Sequence, residues 1–453
     1  MTPVDGALQQ ASSDAQVTNR RAIEALRAGV PSRAGVRALG LGQPHIEDAF
    51  TSLLETVGPA AARPSRREDR RRGLLIGGGF GSGKSHTLEH LSVMAAERGF
   101  VVSRVVVSKE TPLHDPVKFV RAAVDTAVPP HLGGWRSPGT AVSEAVAELD
   151  TDGPGYAALV HDVNAYSERF DQRFATTLSL LARLRQPGVS FVAAEAVGAI
   201  EAFWSGSALR TPDLRRWLRD VGLALPQLAA IPIRDLARQR LHFLPRLFAA
   251  AGWAGWVLLV DEAELIGRYS VLQRGRAYAE LHELLSGTAD DADVPLATVV
   301  AMTDDYEAAV LSEKKDRATI PAKLKAKETA EADELAAAAA LGMRAIERDM
   351  LLLDPADDAE LDRAYATLRE LHGSAFEWDP PDVPGLERLA ATRMRQHVRA
   401  WVNEWDLIRL DPSYRPFTEA VPLTSNYIED AALADEPTSS TSRSTSTSTS
   451  EWP

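Results

Sequence analysis

The residues best equipped for chemistry lie in Gly78-Gly79-Phe80-Gly81-Ser82-Gly83-Lys84-Ser85, a match to the pattern G-x-x-x-x-G-K-[ST]. Glycines at this spacing let the backbone curl until successive N–H groups point inward, and a helix that follows adds its positive N-terminal end. Such a cradle suits a chain of phosphates, with Lys84 reaching the β- and γ-phosphates and Ser85 holding Mg²⁺. Trp256-Val257-Leu258-Leu259-Val260-Asp261-Glu262 is the natural second half of the site. Its apolar residues read as a buried strand, and Asp261 emerges at the carboxyl end, where ligands bind in open α/β sheets. Asp261 is placed to coordinate Mg²⁺ through water, and Glu262 to polarise a water for attack on the γ-phosphate. The pair of motifs describes hydrolysis of a nucleoside triphosphate, and ATP is the expected nucleotide.

Weaker signals surround these two. Leu296–Met302 leads into Thr303-Asp304-Asp305, and a polar residue at that strand tip could orient the attacking water; Thr303 is the candidate, although a strand-end cap reads equally well. Positive charge for the γ-phosphate has two sources. Arg317 lies 14 residues past Thr303, at the expected end of a helix, where it could meet a neighbouring subunit's phosphate. Arg393, Arg395 and Arg399 occupy a later helix, and Arg395 and Arg399, four apart, share one face that could close over the nucleotide. Each of these arginines taken alone also reads as an ordinary solvated helix face. His86-Thr87-Leu88-Glu89-His90 imitates an H-x-x-E-H zinc site, but it falls in the first turns of the helix that the phosphate loop requires. Glu313-Lys314-Lys315-Asp316 imitates a guanine-reading N-K-x-D, with Glu in place of Asn and no strand before it.

The elements that must position these residues are legible around them. Gly73–Gly77 reads as a short buried strand, Lys84–Arg98 as the helix after it, and Phe100–Val107 as a second strand; 257–260 and Leu296–Met302 are further apolar runs. Continuous β-branched or aliphatic runs separated by helices indicate a parallel sheet covered on both faces. A helix starting at Asn19 should stop at Ala28-Gly29-Val30-Pro31, and another should span Pro44–Val57. Residues 112–250 carry a helical pattern with no comparable strands, and Glu334–Leu341 is helical by propensity. The expected organisation is a polar, disordered segment over 1–18, a catalytic core over 19–355, a helical lid over 356–412 and an extension over 413–453. Residues 438–450 are Ser or Thr except Arg443, a composition that forms no core.

Composition narrows the function classes. At about 150 residues per domain, the 453 residues allow two or three domains. The absence of cysteine excludes disulfides, thiolate nucleophiles and iron–sulfur clusters, and suits a reducing cytoplasm. No charge-free apolar run reaches the roughly 18 residues of a membrane helix, and the N-terminus carries no secretory pattern, so a cytoplasmic protein off the membrane is expected. A net charge of −13 opposes polyanion binding by the surface as a whole. Two local patches remain as candidate DNA-phosphate contacts: Arg66–Arg72, and the lysines between Lys314 and Lys327, which are five of the eight in the chain. Both also read as solvated surface, the first as an exposed linker.

Taken in order, the phosphate loop, Asp-Glu strand, polar strand tip and late helical arginines resemble an AAA+-type P-loop ATPase of the initiator-like clade. Three segments are more specific: Arg21–Arg33, Gly79–His86 and Ala251–Gly267 resemble the ATP-binding proteins of BREX, the bacteriophage-exclusion systems, with BrxD-like members nearest in size. Arg274-Gly275-Arg276-Ala277-Tyr278 and Thr303-Asp304-Asp305-Tyr306 extend the likeness, which covers residues 19–412. The resemblance implies a three-layer core with a parallel sheet, His86 among the nucleotide-binding residues, and Val30 and Pro31 lining the adenine site. It also implies a phage-defence role beside DNA-acting partners. Two departures stand out. Lys84 and Asp261 are 177 residues apart, which implies a large helical insert within about 112–235. No winged-helix DNA reader is expected after the lid. Two functions follow: an ATPase that couples turnover to DNA or a DNA-acting complex, or an ATP-dependent switch that assembles partners, itself included, with negligible turnover.

Overall fold

Apolar residues on these strands point to both faces, so each strand needs cover on both sides, and the computed structural model supplies it. The structure describes residues 3–30, 32–58, 72–130, 138–166, 168–187, 193–286, 294–383 and 394–415. Five parallel strands, β1 (Gly73–Gly77), β2 (Phe100–Val106), β3 (Gly255–Asp261), β4 (Leu296–Met302) and β5 (Met350–Leu352), stand in the order β2-β3-β4-β1-β5. Alternate side chains divide between two cores. Val257 and Leu259 of β3 join Ile76, Val102 and Val299 on one face, while Leu258 and Val260 join Val101, Val105 and Val300 on the other.

Two helices cover the first face: α3 (Pro44–Val57), through Ile46, Phe50 and Leu54, and α4 (Lys84–Glu97), through Leu88, Leu91 and Ala95. The second face begins with α5 (Pro116–Asp125) and α11 (Ile233–Ala250), which lie on β2 and β3. Between them run α6 (Ala141–Glu148), α7 (Pro154–Ala165), α8 (Gln172–Leu184), α9 (Ala193–Trp204) and α10 (Thr211–Asp220). Their apolar residues continue the same core outward through Phe174, Phe203, Trp204 and Trp217. Among the described residues, the chain between β2 and β3 holds seven helices and no strand, and an isolated bridge joins Val128 to Val102.

After β3 come a short 3₁₀ segment (Ala263–Arg268), α12 (Val271–Ser286), a π-type turn after β4 (Glu307–Ser312), α13 (Asp316–Lys325) and α14 (Ala330–Arg348). Gly342 of α14 is where α12 and α14 meet: a Cβ there would sit 1.9 Å from the Tyr278 carbonyl oxygen, so only glycine permits this approach. Beyond β5, α15 (Asp358–Phe376) and α16 (Met394–Leu410) pack on the first helix, α1 (Pro3–Ala28). Ile23 and Leu26 of α1 are buried among Leu368, Trp401, Val402 and Trp405. A short α2 (Arg33–Leu39), capped by Ser32, links α1 to the sheet's first face.

Four expectations need correction. Residues 3–18, expected to be disordered, are the first part of α1, whose Ala- and Gln-bearing sequence is a fair helix former. Arg317 lies in the first turn of α13, not at a helix end. Arg72 is buried rather than in an exposed patch, because its N–H donates to the Leu285 carbonyl of α12 and its carbonyl accepts from Thr298 N–H of β4; 63–71 lie outside the described residues. β5 was not anticipated, three residues being too short for periodicity to register. Pro31, Arg393 and 416–453 also lie outside the described residues, and among those described no helix is long and apolar enough to cross a membrane.

Candidate functional site: the carboxyl edge of the sheet

The phosphate-loop residues leave the sheet between β4 and β5, where Gly78 N–H donates to the Met302 carbonyl and Leu353 N–H to that of Gly77. Neighbouring side chains press close on the glycines at the exit. A Cβ on Gly77 would lie 2.2 Å from Met350 Sδ, and one on Gly78 would lie 2.5 Å from Ser82 Oγ. Gly81 (φ +81°) and Gly83 (φ +109°) adopt left-handed backbone that other residues resist, and Gly83 opens α4 with no side-chain cap. Lys84 is buried, and its ammonium folds back to donate to the Gly78 carbonyl at 2.7 Å and that of Gly79 at 3.2 Å. Ser82 Oγ is buried without a hydrogen-bond partner. The curled backbone, the helix N-terminus and the enclosed cation make an anion cradle.

Asp261 ends β3 beside this cradle and is 3% exposed. One carboxylate oxygen accepts from Glu262 N–H at 3.0 Å, and the other accepts from Arg104 of β2 at 2.9 Å. Arg104 also donates to Glu89 at 3.3 Å and reaches the Ser85 carbonyl at 3.5 Å. Glu262 holds a left-handed backbone (φ +57°), a strained conformation for a non-glycine residue of the kind that gathers at functional sites. Partial desolvation, then the Asp261 charge, raises its carboxyl above the usual range, while Lys84, Arg395 and Arg104 pull it down.

Glu264, two residues further, was missed by sequence reasoning. Burial pushes its carboxyl up to about 7 against the pull of Lys84, and its Oε2 is buried without a hydrogen-bond partner. The only available signal was the spacing Asp261-Glu262-Ala263-Glu264, which returns a third acid to the same edge. Arg104 was missed too, hidden inside an apolar strand.

Thr303 follows β4 and is 1% exposed; the residue before it pairs with Gly77, so it sits beside the root of the loop. Arg395 and Arg399 of α16 both lie against Gly29, where a Cβ would be 3.5 Å from Arg395 Cδ and 3.7 Å from Arg399 Cδ. Arg317 keeps different company: its guanidinium donates to Glu347 at 2.5 Å, to Ser312 at 2.9 Å and to Glu307. None of those partners belongs to the loop or to the β3 tip.

Next to the loop is a cavity of about 300 Å³ whose wall includes Val30, Gly42, Gly83, His86, Glu360 and Arg395. Its walls come from distant parts of the chain. His86 Nε2 bonds the Gly40 carbonyl at 2.7 Å and, since a carbonyl only accepts, acts as donor; desolvation lowers the imidazole below its ordinary value, so the ring is neutral near pH 7. Gln43 clasps the backbone of Asp354, accepting from its N–H at 2.9 Å and donating to its carbonyl at 3.1 Å. Gly42 adopts a left-handed backbone (φ +69°) that other residues resist, and it lies close against the Glu360 carboxylate. The histidines of the zinc-like run diverge: His86 bonds Gly40, His90 pairs with Glu47 at 2.9 Å, and Glu89 faces Arg104.

The donor set fits a nucleotide with a divalent cation. A serine hydroxyl at the second position of α4 and a buried carboxylate are hard oxygen ligands of the kind Mg²⁺ prefers. Residues 15–123, from α1 through the phosphate loop to α5, match the model of a family described as BREX system ATP-binding protein BrxC/D, and the match supports assigning the chain to that family. Searches of curated proteins and of solved structures found no match.

Proposed function

We propose that this chain, as a member of the BREX ATP-binding proteins, binds and hydrolyses ATP in an anti-phage system through an AAA+-like core. The observation that carries the reading is one edge of a parallel sheet holding an anion cradle, an Asp-Glu strand end and an adjoining cavity together. Backbone N–H groups of 78–85 and the Lys84 ammonium bind the phosphates. The base lies in the cavity between Val30 and His86. Ser85 and Asp261 hold Mg²⁺, which when bound neutralises charge on the β- and γ-phosphates. Glu262 accepts the proton of the attacking water as its oxygen bonds to the γ-phosphorus, the bridging P–O bond breaks and ADP leaves. A carboxyl with a raised pKa is a stronger base for that step. Thr303 orients the water, and Arg395, already within the electrostatic reach of Glu262, meets the developing charge together with Arg399. Arg317 is the candidate for a partner subunit's site, and it must first leave Glu307 and Glu347.

A second reading has its own support. The cavity wall is shared by α16 and the loop, so bound nucleotide would hold the C-terminal helices against the core even without turnover, as a switch requires. Coupling to DNA or to a DNA-acting complex belongs to the first reading. Calorimetry with ATP tests the site common to both: the wild-type chain should bind, and Lys84→Ala should lose binding by at least about a hundredfold. Equal binding by the two proteins would remove the phosphate loop from the site.

A further inference from the structure

Arg104 stands where no motif placed a functional residue. It is the one charged residue of β2, in register with Leu259, and its guanidinium reaches across to the β3 tip. One nitrogen donates to Asp261 Oδ2 at 2.9 Å and comes within 3.5 Å of the Ser85 carbonyl. A second nitrogen donates to Glu89, and Glu89 in turn faces Arg33 at 3.8 Å. The third, Nε, is buried without a partner, so the guanidinium is only partly satisfied. Asp261 is nearly enclosed, and its other oxygen is already occupied by Glu262 N–H. A cation held on Asp261 Oδ2 must therefore share that oxygen with Arg104 or displace it.

We propose that Arg104 is a positioning residue that neutralises Asp261 in the metal-free site and competes with the divalent cation for its Oδ2, thereby setting that cation's affinity. The inference rests on the reading of Ser85 and Asp261 as the Mg²⁺ ligands. Two effects act in the same direction. The guanidinium repels a second cation in the same small volume, and it removes the cost of leaving the Asp261 carboxylate buried and unpaired, a cost that bound metal would otherwise relieve. Without nucleotide, Arg104 also offsets the repulsion among the acids of this edge, since it pairs with Glu89 and Asp261 and lowers the cost of charge on Glu262. Nucleotide and cation should consequently bind as a coupled pair.

The test is a Mg²⁺ titration of fluorescent ADP binding by the full chain, starting metal-free in EDTA, with wild type, Arg104→Gln and Arg104→Lys. Arg104→Gln should weaken metal-free ADP binding, since a cation near the phosphates is lost. It should also lower the half-saturating Mg²⁺ concentration by about tenfold. A merely structural arginine would move both in the same unfavourable direction. Arg104→Lys keeps the charge but loses the fork that spans Asp261 and Glu89, so its half-point should fall by a smaller factor. That variant decides the matter if the Gln form folds poorly. An unchanged or raised half-point, with ADP still bound, overturns the role of Arg104 and leaves the nucleotide site standing. A wild-type chain that binds no ADP at any Mg²⁺ concentration overturns both.

Discussion

Two Arg–Asp pairs lie in the second-face core and at its carboxyl edge, and they are built in opposite ways. Arg274 of α12 meets Asp316 of α13 through two parallel bonds of 2.8 and 2.9 Å. Tyr278 adds a third donor to Asp316 at 2.9 Å, Tyr306 bonds Tyr278 at 2.9 Å, and the Tyr269 carbonyl accepts from Arg274 at 2.6 Å. Arg274 is 2% exposed and Asp316 is fully buried. The Arg104–Asp261 pair has a single bond between them, an arginine side chain 27% exposed and one nitrogen without a partner. A fully satisfied network fixes helices to one another, whereas a partly satisfied one leaves capacity for a ligand. The first explains why Arg274–Tyr278 and Thr303–Tyr306 are distinctive segments: their residues meet in space. The second leaves an unsatisfied donor at the sheet edge where nucleotide is proposed to bind.

The contrast breaks down or sharpens under substitution. Asp316→Ala leaves Arg274 charged and buried, and chemical denaturation should show a loss of about 3–5 kcal/mol. Asp261→Ala leaves Arg104 with Glu89 and some solvent, and should cost only about 1 kcal/mol. Equal losses would erase the distinction. Arg395→Ala removes a cation from the cavity wall and should raise the ATP dissociation constant by about tenfold in calorimetry, with folding stability little changed.

Glu264 gives the most pH-dependent effect. Its pKa is raised in the fold, so its stabilising contribution is complete below the unfolded value near 4.5 and is lost as pH rises through about 7. Glu264→Gln should therefore raise the melting temperature relative to wild type at pH 8, and the gain should shrink at pH 5. A gain that grows on acidification would contradict the assignment.

Much of this was legible beforehand, for physical reasons. β1 and β4 begin and end where their apolar runs do, because a strand buried on both faces cannot continue into polar sequence. The phosphate loop is a local motif, and its strand–turn–helix setting follows from chain neighbours. The shared face of Arg395 and Arg399 follows from helix geometry, and the structure sets both against Gly29. What escaped depends on distant parts of the chain. The Gln43–Asp354 clasp joins residues 311 positions apart. Arg104 acquires meaning only when β2 pairs with β3 across seven helices. The docking of α1 on α15 and α16 likewise needs partners from opposite ends, so residues 3–18 looked like a polar tail.

Steady-state ATP hydrolysis by wild type and Glu262→Gln, with and without single- and double-stranded DNA, tests the central claim most directly, provided that ATP binding is measured on the same samples. The expected result is turnover by wild type, stimulated by DNA more at low salt than at physiological salt. Glu262→Gln should bind ATP yet turn it over about 10²–10⁴-fold more slowly. A slow wild-type rate indifferent to DNA would favour the switch. Undiminished turnover by the Gln variant would contradict the assignment of Glu262 as the base, and with it the hydrolytic reading of this sheet edge.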